Sequence, residues 1–240
     1  MIRLCLLWVL LGTSVASSLA FSDSFKAGVS ALNRGHYATA MRAWVSMANE
    51  GIAEAQNNIG HLHEEGFGVP QDYSEAMRWY RLAADQGLAE AQHNIGMLYY
   101  QGYGTKQNYR EAVKWFKLAT QQDLADSQYM LALCYHYGQG VSIDYTFAKT
   151  WYLKSAQQGY ASAQFMYAFM LQAGEIGDPE PLKALAWSEV AKRNGKADSD
   201  DVGDQSRLLL DDAEIAEAMK LADVCLSSAY QSCPIMTPKR

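Results

Sequence analysis

Residues 53–88 read AEAQNNIGHLHEEGFGVPQDYSEAMRWYRLAADQGL, and residues 89–124 repeat the pattern as AEAQHNIGMLYYQGYGTKQNYREAVKWFKLATQQDL. Two further copies follow without an insertion, in residues 125–160 and 161–195, and they keep the shared Ala, Gln, Gly and Trp positions. A degenerate copy precedes them in residues 21–52. A fixed period of this length predicts a stack of equal units, which more often holds a partner than catalyses a reaction.

The first half of each copy has the pattern of a helix that ends in a glycine turn. Ala55, Ile59 and Leu62 recur at spacings of four and three, which places them on one apolar helix face. The helix is expected to end at Gly66, because the turn GFGV needs positive φ angles, which glycine adopts without strain. In the fourth copy Ile176 replaces the second glycine of this turn, so the pattern does not establish the turn there.

The second half of each copy predicts another helix. Asp72 is expected to cap its start, and Glu75, three residues later, to complete a capping box. Asn or Asp holds the capping position in the next two copies. The helix combines small and large residues, which lets helices approach closely, and it is expected to end near Gly87. Asp123 takes the position of that glycine in the next copy and predicts a looser helix end.

These motifs resemble the Sel1-like repeat family, which is related to the tetratricopeptide repeats. The resemblance covers residues 25–195 and rests on the motifs A-x-A-Q, G-x-G, E-A-x-x-W-[YF] and A-x-x-G. It implies an all-α fold, a right-handed superhelical solenoid of antiparallel helix pairs with a 36-residue period. It also implies a role in protein–protein interaction.

The charge and the N-terminus indicate an exported protein that does not bind nucleic acid. The net charge is −6 and no cluster of Lys and Arg is present, which disfavours binding to phosphate backbones. Residues 1–20 carry one cation, Arg3, then an apolar run and small residues up to Ala20, a pattern typical of a cleaved secretory signal peptide. The run is shorter than the about 20 residues that span a bilayer, so an uncleaved anchor is the weaker alternative, and we expect no membrane span after cleavage.

Three cysteines remain after removal of the signal peptide, and export makes a disulfide possible. We expect Cys225 to pair with Cys233, which lies close to it near the C-terminus, and Cys134 to stay free and buried at an apolar helix position. Eight helical residues rise about 12 Å, which is too far for a disulfide. The chain is therefore expected to turn back between Cys225 and Cys233.

Residues 196–233 follow the last repeat and predict a helical cap over its exposed end. The segment KADSDDVGD is interpreted as a loop that leads into two amphipathic helical segments. Their apolar positions are Leu208 to Leu210, Ile215, Met219 and Leu221. Residues 234–240 are expected to form a loose tail.

The sequence carries no strong pattern of a catalytic or metal site. It lacks a G-x-S-x-G nucleophile elbow, a phosphate-binding P-loop and an H-E-x-x-H zinc motif. His61 and His63 are two residues apart on a helix, so they point to different faces and cannot share a metal. In DSDDVGD and the residues after it, Val202 and Leu209 occupy positions where a calcium loop needs ligands. We therefore predict no enzymatic activity, no metal and no cofactor.

One helix face differs between the copies and lies beside the constant apolar face. Its positions follow each other at spacings of four and three on the first helix of each copy. The residues are Asn57, His61 and Glu64, then His93, Met97 and Tyr100, then Tyr129, Leu133 and His136, then Phe165, Phe169 and Gln172. We call these residues the variable stripe; it changes from polar to apolar along the chain. By the resemblance, first helices line a concave side, so the stripe is a candidate groove for a peptide or protein segment; the alternative is packing between neighbouring units.

The sequence thus predicts a non-catalytic adaptor of the bacterial cell envelope, periplasmic or secreted, that binds another protein. The resemblance leaves two alternatives. One is a structural subunit of an envelope machine, such as a flagellar-motor ring, with a permanent partner. The other is β-lactam binding or hydrolysis, which is associated with related cysteine-rich repeat proteins; this chain lacks their paired cysteines in each repeat. The identity of the partner does not follow from the repeat scaffold.

Overall fold

The computed structural model describes residues 23–196, 200–231 and 233–236, apart from the Met236 side chain. Twelve α-helices and one short 3-10 turn make up the regular structure of these residues, and they contain no β-strand. The helices are α1 (23–33), α2 (Tyr37–Asn49), α3 (Ala53–Glu65), α4 (Tyr73–Ala84), α5 (Ala89–Gln101), α6 (Tyr109–Thr120), α7 (Ala125–Tyr137), α8 (Tyr145–Gln157), α9 (Ala161–Ala173), α10 (Pro181–Arg193), α11 (Asp200–Arg207) and α12 (Asp212–Ser227), and the turn is Pro234–Met236.

The helices fall into two compact units. The first unit runs to Gln107 and contains α1 to α5, in which α3 packs on both α2 and α4, and α4 packs on α5. Its core is centred on the indole of Trp44, which is fully buried, together with Ile59 and Leu62 of α3. The degenerate copy, residues 21–52, therefore folds as a helix pair, and its tryptophan, Trp44, reaches the core.

The second unit begins at Asn108 and contains α6 to α12. Consecutive helices pack on each other from α6 to α10, and α11 and α12 both pack on α10. Its core joins the aromatic residues Tyr152, Tyr167 and Trp187 to small alanines on the facing helices. The alternation of small and large residues that the sequence shows is thus what brings the helix axes close together.

The glycine turns explain why the copies keep two loop glycines. The first glycine of each turn ends a first helix in the left-handed conformation, as Gly66 does at φ 70°. The second glycine allows close contact with the preceding copy: a Cβ on Gly104 would lie 2.6 Å from the Cβ of Tyr73. In the fourth copy, where Ile176 stands, the positive φ moves one residue onward to Gly177. The fourth copy therefore also has a glycine turn, with its second glycine shifted by one residue.

The starts and ends of the second helices match the sequence in part. The Asp72 carboxylate accepts hydrogen bonds from two backbone amides of α4, as expected of an N-cap. The expected capping box is wrong, because Glu75 instead forms an ion pair with Arg78 at 2.5 Å. The looser helix end at Asp123 is also wrong. Asp123 adopts φ 57°, the left-handed conformation that glycine takes in the neighbouring copies, and α6 ends at the same repeat position as α4.

The helical cap differs from the sequence prediction in its boundaries. Helix α11 starts at Asp200, within the segment interpreted as a loop, so that Leu208 and Leu209 lie in the exposed turn after it. Ile215, Met219 and Leu221 of α12 pack against the core as expected. Residues 234–236, placed in the tail, form the 3-10 turn, and Ile235 is buried there.

A disulfide joins Cys225 at the end of α12 to Cys233, with Cα atoms 4.2 Å apart. The chain turns back between them, as expected, with positive φ angles at Ala229 and Tyr230. Cys134 is a free and buried thiol. The predicted signal peptide, residues 1–20, lies outside the described residues. Among the helices that are described, none has the length and apolar character that crossing a bilayer requires.

Candidate partner-binding surfaces

In the first unit, α3 and α5 carry the polar half of the variable stripe. Its side chains are all partly exposed: Asn57, His61, Glu64, His93, Met97 and Tyr100. The two helices are tied together beside the stripe, where the Asn94 amide donates a hydrogen bond of 3.0 Å to Asn57. Successive first helices of this unit thus present these residues on one shared surface.

The carboxylate of Glu64 is the most constrained group of this half. Its Oε2 accepts a hydrogen bond of 2.5 Å from the phenol of Tyr80, which projects from α4. Burial raises the pKa of Glu64, and the hydrogen bond from Tyr80 opposes that rise. Burial and the nearby Glu64 in turn raise the pKa of Tyr80. Glu64 is therefore a fixed hydrogen-bond acceptor rather than a mobile surface charge.

The same turn of α3 can form a small chelating group. One ligand atom each of His61, Glu64 and Glu65 lie within 4.8 Å of one another. The three residues are at i, i+3 and i+4, so they share a helix face. The prediction from the sequence considered only the pair His61 and His63, so it did not address a group made of His61, Glu64 and Glu65. Glu64 already accepts a hydrogen bond from Tyr80. Three ligands from one helix turn do not by themselves define a metal site. The absence of a metal stays a prediction.

A cavity of about 250 Å³ adjoins the start of the polar half. It lies between α1, α3 and the start of α5, and Asn57 is one of its lining residues. Phe25 and Leu88 give it an apolar wall, and Glu54 and Glu90 give it two exposed carboxylates. The sequence did not reveal it because α1 belongs to the degenerate copy, where no repeat position predicts a contact.

In the second unit, α7 and α9 carry the apolar half of the stripe. Tyr129, Leu133, Phe165 and Phe169 are partly exposed and pack at the margin of the core. The ring of Tyr129 lies 5.1 Å from that of Tyr160 at the start of α9. These side chains are therefore both packed and accessible, so packing accounts for part of their surface, and the groove stays a prediction.

His136 differs from the other stripe residues because it is only 5% exposed. Its Nε2 lies 3.3 Å from Oε1 of Glu175. The centroid of its ring lies 6.5 Å from that of Phe169, and this contact connects α7 to α9. His136 Nδ1, Glu175 Oε2 and the Tyr152 hydroxyl are buried, and no hydrogen-bond partner for them is present among the described residues. The imidazole therefore packs beneath the aromatic surface and is not accessible to a partner.

Two of the four repeated buried glutamines, Gln56 and Gln164, form the same structural link, which the sequence aligned but did not explain. Gln56 donates to the carbonyl of Ala48, and Gln164 donates to that of Ala156, in each case eight residues earlier. The Oε1 of Gln164 accepts a hydrogen bond from Asn194 at 2.7 Å. The conserved spacing of Gln in the A-x-A-Q motif was the available signal: a polar residue at a fixed buried position has to be hydrogen-bonded.

Solved structures with the same architecture include a Sel1 repeat protein from Oxalobacter formigenes, with TM-score 0.72 and 25% identity over 88% of this chain and 92% of that one. A protective antigen of uropathogenic Escherichia coli with the same repeat fold has TM-score 0.71 and 27% identity over 93% of this chain. The chain spans only 53% of that antigen. A Sel1 repeat protein from Klebsiella pneumoniae, at 20% identity and TM-score 0.51, shares the fold.

No curated protein matches the chain. The sequence pattern of the Sel1 repeat matches residues 53–88, 89–124, 125–160 and 161–196, which together make up more than half of the chain. These matches and the solved structures confirm the repeat period and the all-α solenoid fold. The chain therefore belongs to the Sel1 repeat family, whose fold typically serves protein–protein interaction.

Proposed function

We propose that this protein is a non-catalytic adaptor of the cell envelope that binds a peptide or protein segment on its variable stripe. The observation that carries the proposal is the apolar half of the stripe on α7 and α9. There Tyr129, Leu133, Phe165 and Phe169 keep part of their surface in solvent although each also touches the core. Partly exposed aromatic side chains on a rigid support are typical of contact residues in protein interfaces.

The contrast between constant and variable positions supports this proposal. The packing positions repeat from copy to copy, as Ala76 and Ala148 do, and both are fully buried. The stripe positions change chemistry, from Glu64 in the first copy to Gln172 in the fourth. A scaffold alone needs only the constant positions. The variable ones are free to specify a partner, by polar contacts in the first unit and apolar contacts in the second.

The proposed location is the periplasm, with release from the cell as the alternative. The signal pattern of residues 1–20 and the Cys225–Cys233 disulfide both support an oxidising compartment outside the cytoplasm. Separation of cell fractions tests the location, together with mass determination of the N-terminal peptide. A mature N-terminus after Ala20 in the periplasmic fraction is expected. Full-length protein in the cytoplasm would exclude this location.

Site-specific photocrosslinking in living cells tests the stripe. Replacement of Phe165 or Phe169 by a photoreactive phenylalanine analogue keeps the ring, so packing is retained. We expect both positions to give a crosslink to the same protein. The control position is Tyr103, which is 44% exposed and lies in a turn outside the stripe. A crosslink there to the same protein with equal yield would contradict a stripe-specific contact.

A loss-of-contact variant completes the test. Phe165→Ala combined with Phe169→Ala should reduce recovery of that partner by at least about tenfold, since burial of each ring contributes on the order of 1 kcal/mol or more. Leu118→Ala, at a 41% exposed position outside the stripe, is the matched control and should leave recovery unchanged. Unchanged recovery with a folded double variant would overturn the proposal. A partner that never dissociates would instead identify a structural subunit.

A further inference from the structure

The C-terminal end of the second unit contains a cleft that no repeat position predicts. It has a volume of about 320 Å³ and lies between the start of α10, the start of α12 and the 3-10 turn. Leu182, Leu210, Leu221 and Ile235 form its apolar walls. A cleft of this size and lining suits one or two apolar side chains of a bound segment.

Two leucines extend this apolar surface into solvent. Leu208 is 86% exposed and Leu209 is 62% exposed, the highest values among the large apolar side chains of the described residues. They directly precede Leu210 of the cleft wall in the turn between α11 and α12. Adjacent exposed leucines beside an apolar cleft form a patch of the kind that marks interaction sites.

The unpaired charges beside the cleft are acidic and lie at the start of α12. The one lysine in its lining, Lys183, forms an ion pair with Glu180 at 2.6 Å, and Glu180 also lies 3.9 Å from Lys149 of α8. Glu214, also in the lining, forms the capping box of α12 with Asp211, and the exposed Asp212 stands between them. These three carboxylates have no cation within ion-pair distance among the described residues. The α12 side of the cleft therefore favours a cationic partner.

We propose that this cleft, together with Leu208 and Leu209, is a second docking site that binds a basic segment with aliphatic side chains. The leucines of the partner would enter the cleft, and its Lys or Arg residues would meet the carboxylates of Asp211, Asp212 and Glu214. A second copy of this chain fits poorly, because a symmetric contact would bring the same acidic rims together. The site is independent of the variable stripe, so either can fail without the other.

The probe for the test is a library of random dodecapeptides displayed on phage, selected on the purified mature chain. Leu208→Ser combined with Leu209→Ser removes the exposed anchors, and this variant should stay folded because both side chains lie largely in solvent. Leu82→Ser combined with Leu118→Ser is the matched control, since these leucines are 40% and 41% exposed elsewhere. Selected peptides are then synthesised and their affinities are measured by fluorescence anisotropy at two salt concentrations.

The expected peptides combine Leu or Ile with Lys or Arg, and their affinity falls at least about tenfold on the Leu208→Ser and Leu209→Ser variant but not on the control. Their affinity should also fall as salt rises. Acidic peptides, equal binding to the variant or no enrichment would overturn the proposal. So would binding that appears only after deletion of residues 237–240, which would make the chain's own tail the occupant. A dimer abolished by the same variant would assign the patch to a second copy.

Discussion

The hydroxyl of Tyr80 on α4 donates a hydrogen bond of 2.5 Å to the carboxylate of Glu64 on α3. The same two repeat positions hold Tyr152 and His136 two copies later, and there the pairing is different. His136 turns to Glu175 instead, and the Tyr152 hydroxyl is left without a described partner. These two positions, one in the stripe and one on the following helix, thus carry a polar pair in the first unit and belong to an aromatic cluster in the second, which matches the change of the stripe from polar to apolar.

The Glu64–Tyr80 pair makes a prediction on pH. Because burial raises the pKa of Glu64, the folded chain holds this proton more tightly than the unfolded chain does. The free energy of unfolding contributed by Glu64 is therefore largest below its ordinary pKa of 4.5 and falls as the pH rises through the raised pKa. Urea unfolding of the wild type and Glu64→Gln at about pH 4 and about pH 7 measures this. Glu64→Gln should lose less stability than the wild type over that interval.

The matched control for this measurement is Glu217→Gln, an exposed glutamate in the middle of α12 in the other unit. Its pH dependence should follow that of the wild type. If Glu64→Gln also follows the wild type, the carboxylate of Glu64 is not desolvated in solution.

The loop glycines allow a second prediction, from a pair of identical substitutions. Gly87→Ala places a Cβ in open space at φ 90°, so it should cost only the conformational strain, about 1 kcal/mol. Gly104→Ala adds a collision with Tyr73, whose Cβ would be 2.6 Å away, and should cost at least about 1 kcal/mol more. Chemical denaturation of both variants gives the difference. Equal losses would show that the turn around Gly104 moves away from Tyr73 without cost.

The repeat sequence predicted helix pairs and turns well because its signals are local. A left-handed helix end at Gly66 and an N-cap at Asp72 depend on residues within one turn of the chain. The capping box at Glu75 failed because two local partners competed, and Arg78 three residues later formed the ion pair. The prediction of a looser helix end at Asp123 was wrong because Asp also tolerates the left-handed conformation that the pattern assigns to glycine.

The candidate site was less predictable because it depends on contacts between copies. Periodicity placed His136 and Tyr129 on one face, but only the packing of α7 against its neighbours shows that His136 is buried and Tyr129 is not. The cleft at the C-terminal end was outside the reach of the repeat pattern altogether. Its walls come from α10, α12 and the 3-10 turn, and the last two follow the final repeat.

The cysteines give a third prediction, on thiol reactivity. Burial raises the pKa of Cys134 to about 12, and the side chain is fully buried, so its thiol should not react with a thiol-specific reagent in the folded oxidised protein. In the mature chain, which lacks Cys5, one thiol should react after unfolding in denaturant, and three after unfolding with reductant. Rapid labelling of Cys134 under native conditions would show that α7 opens readily.

The disulfide gives a fourth prediction, on the C-terminal cap. Cys225→Ala combined with Cys233→Ala removes a crosslink between residues eight apart, and this should cost about 2–3 kcal/mol. The loss should appear first as faster hydrogen exchange in α12, because the crosslink ties the end of this helix to the 3-10 turn. Exchange in α3, which lies in the other unit, is the internal control. Uniform acceleration in both units would mean that the cap does not open on its own.

The buried glutamines give the last prediction. Gln164 is fully buried and links three segments: it donates to the Ala156 carbonyl at 3.0 Å and accepts from Asn194 at 2.7 Å. Gln164→Leu keeps the size of the side chain but removes both hydrogen bonds, and it should lower the free energy of unfolding by about 1–3 kcal/mol. Gln101→Leu, at an exposed position at the end of α5, is the matched control and should change it by less than about 0.5 kcal/mol. If Gln164→Leu is as stable as the control, the repeated glutamine is kept for a reason other than stability. If the loss is as expected, Gln56→Leu should reproduce it in the first unit, because Gln56 makes the corresponding bond to Ala48 at 3.1 Å.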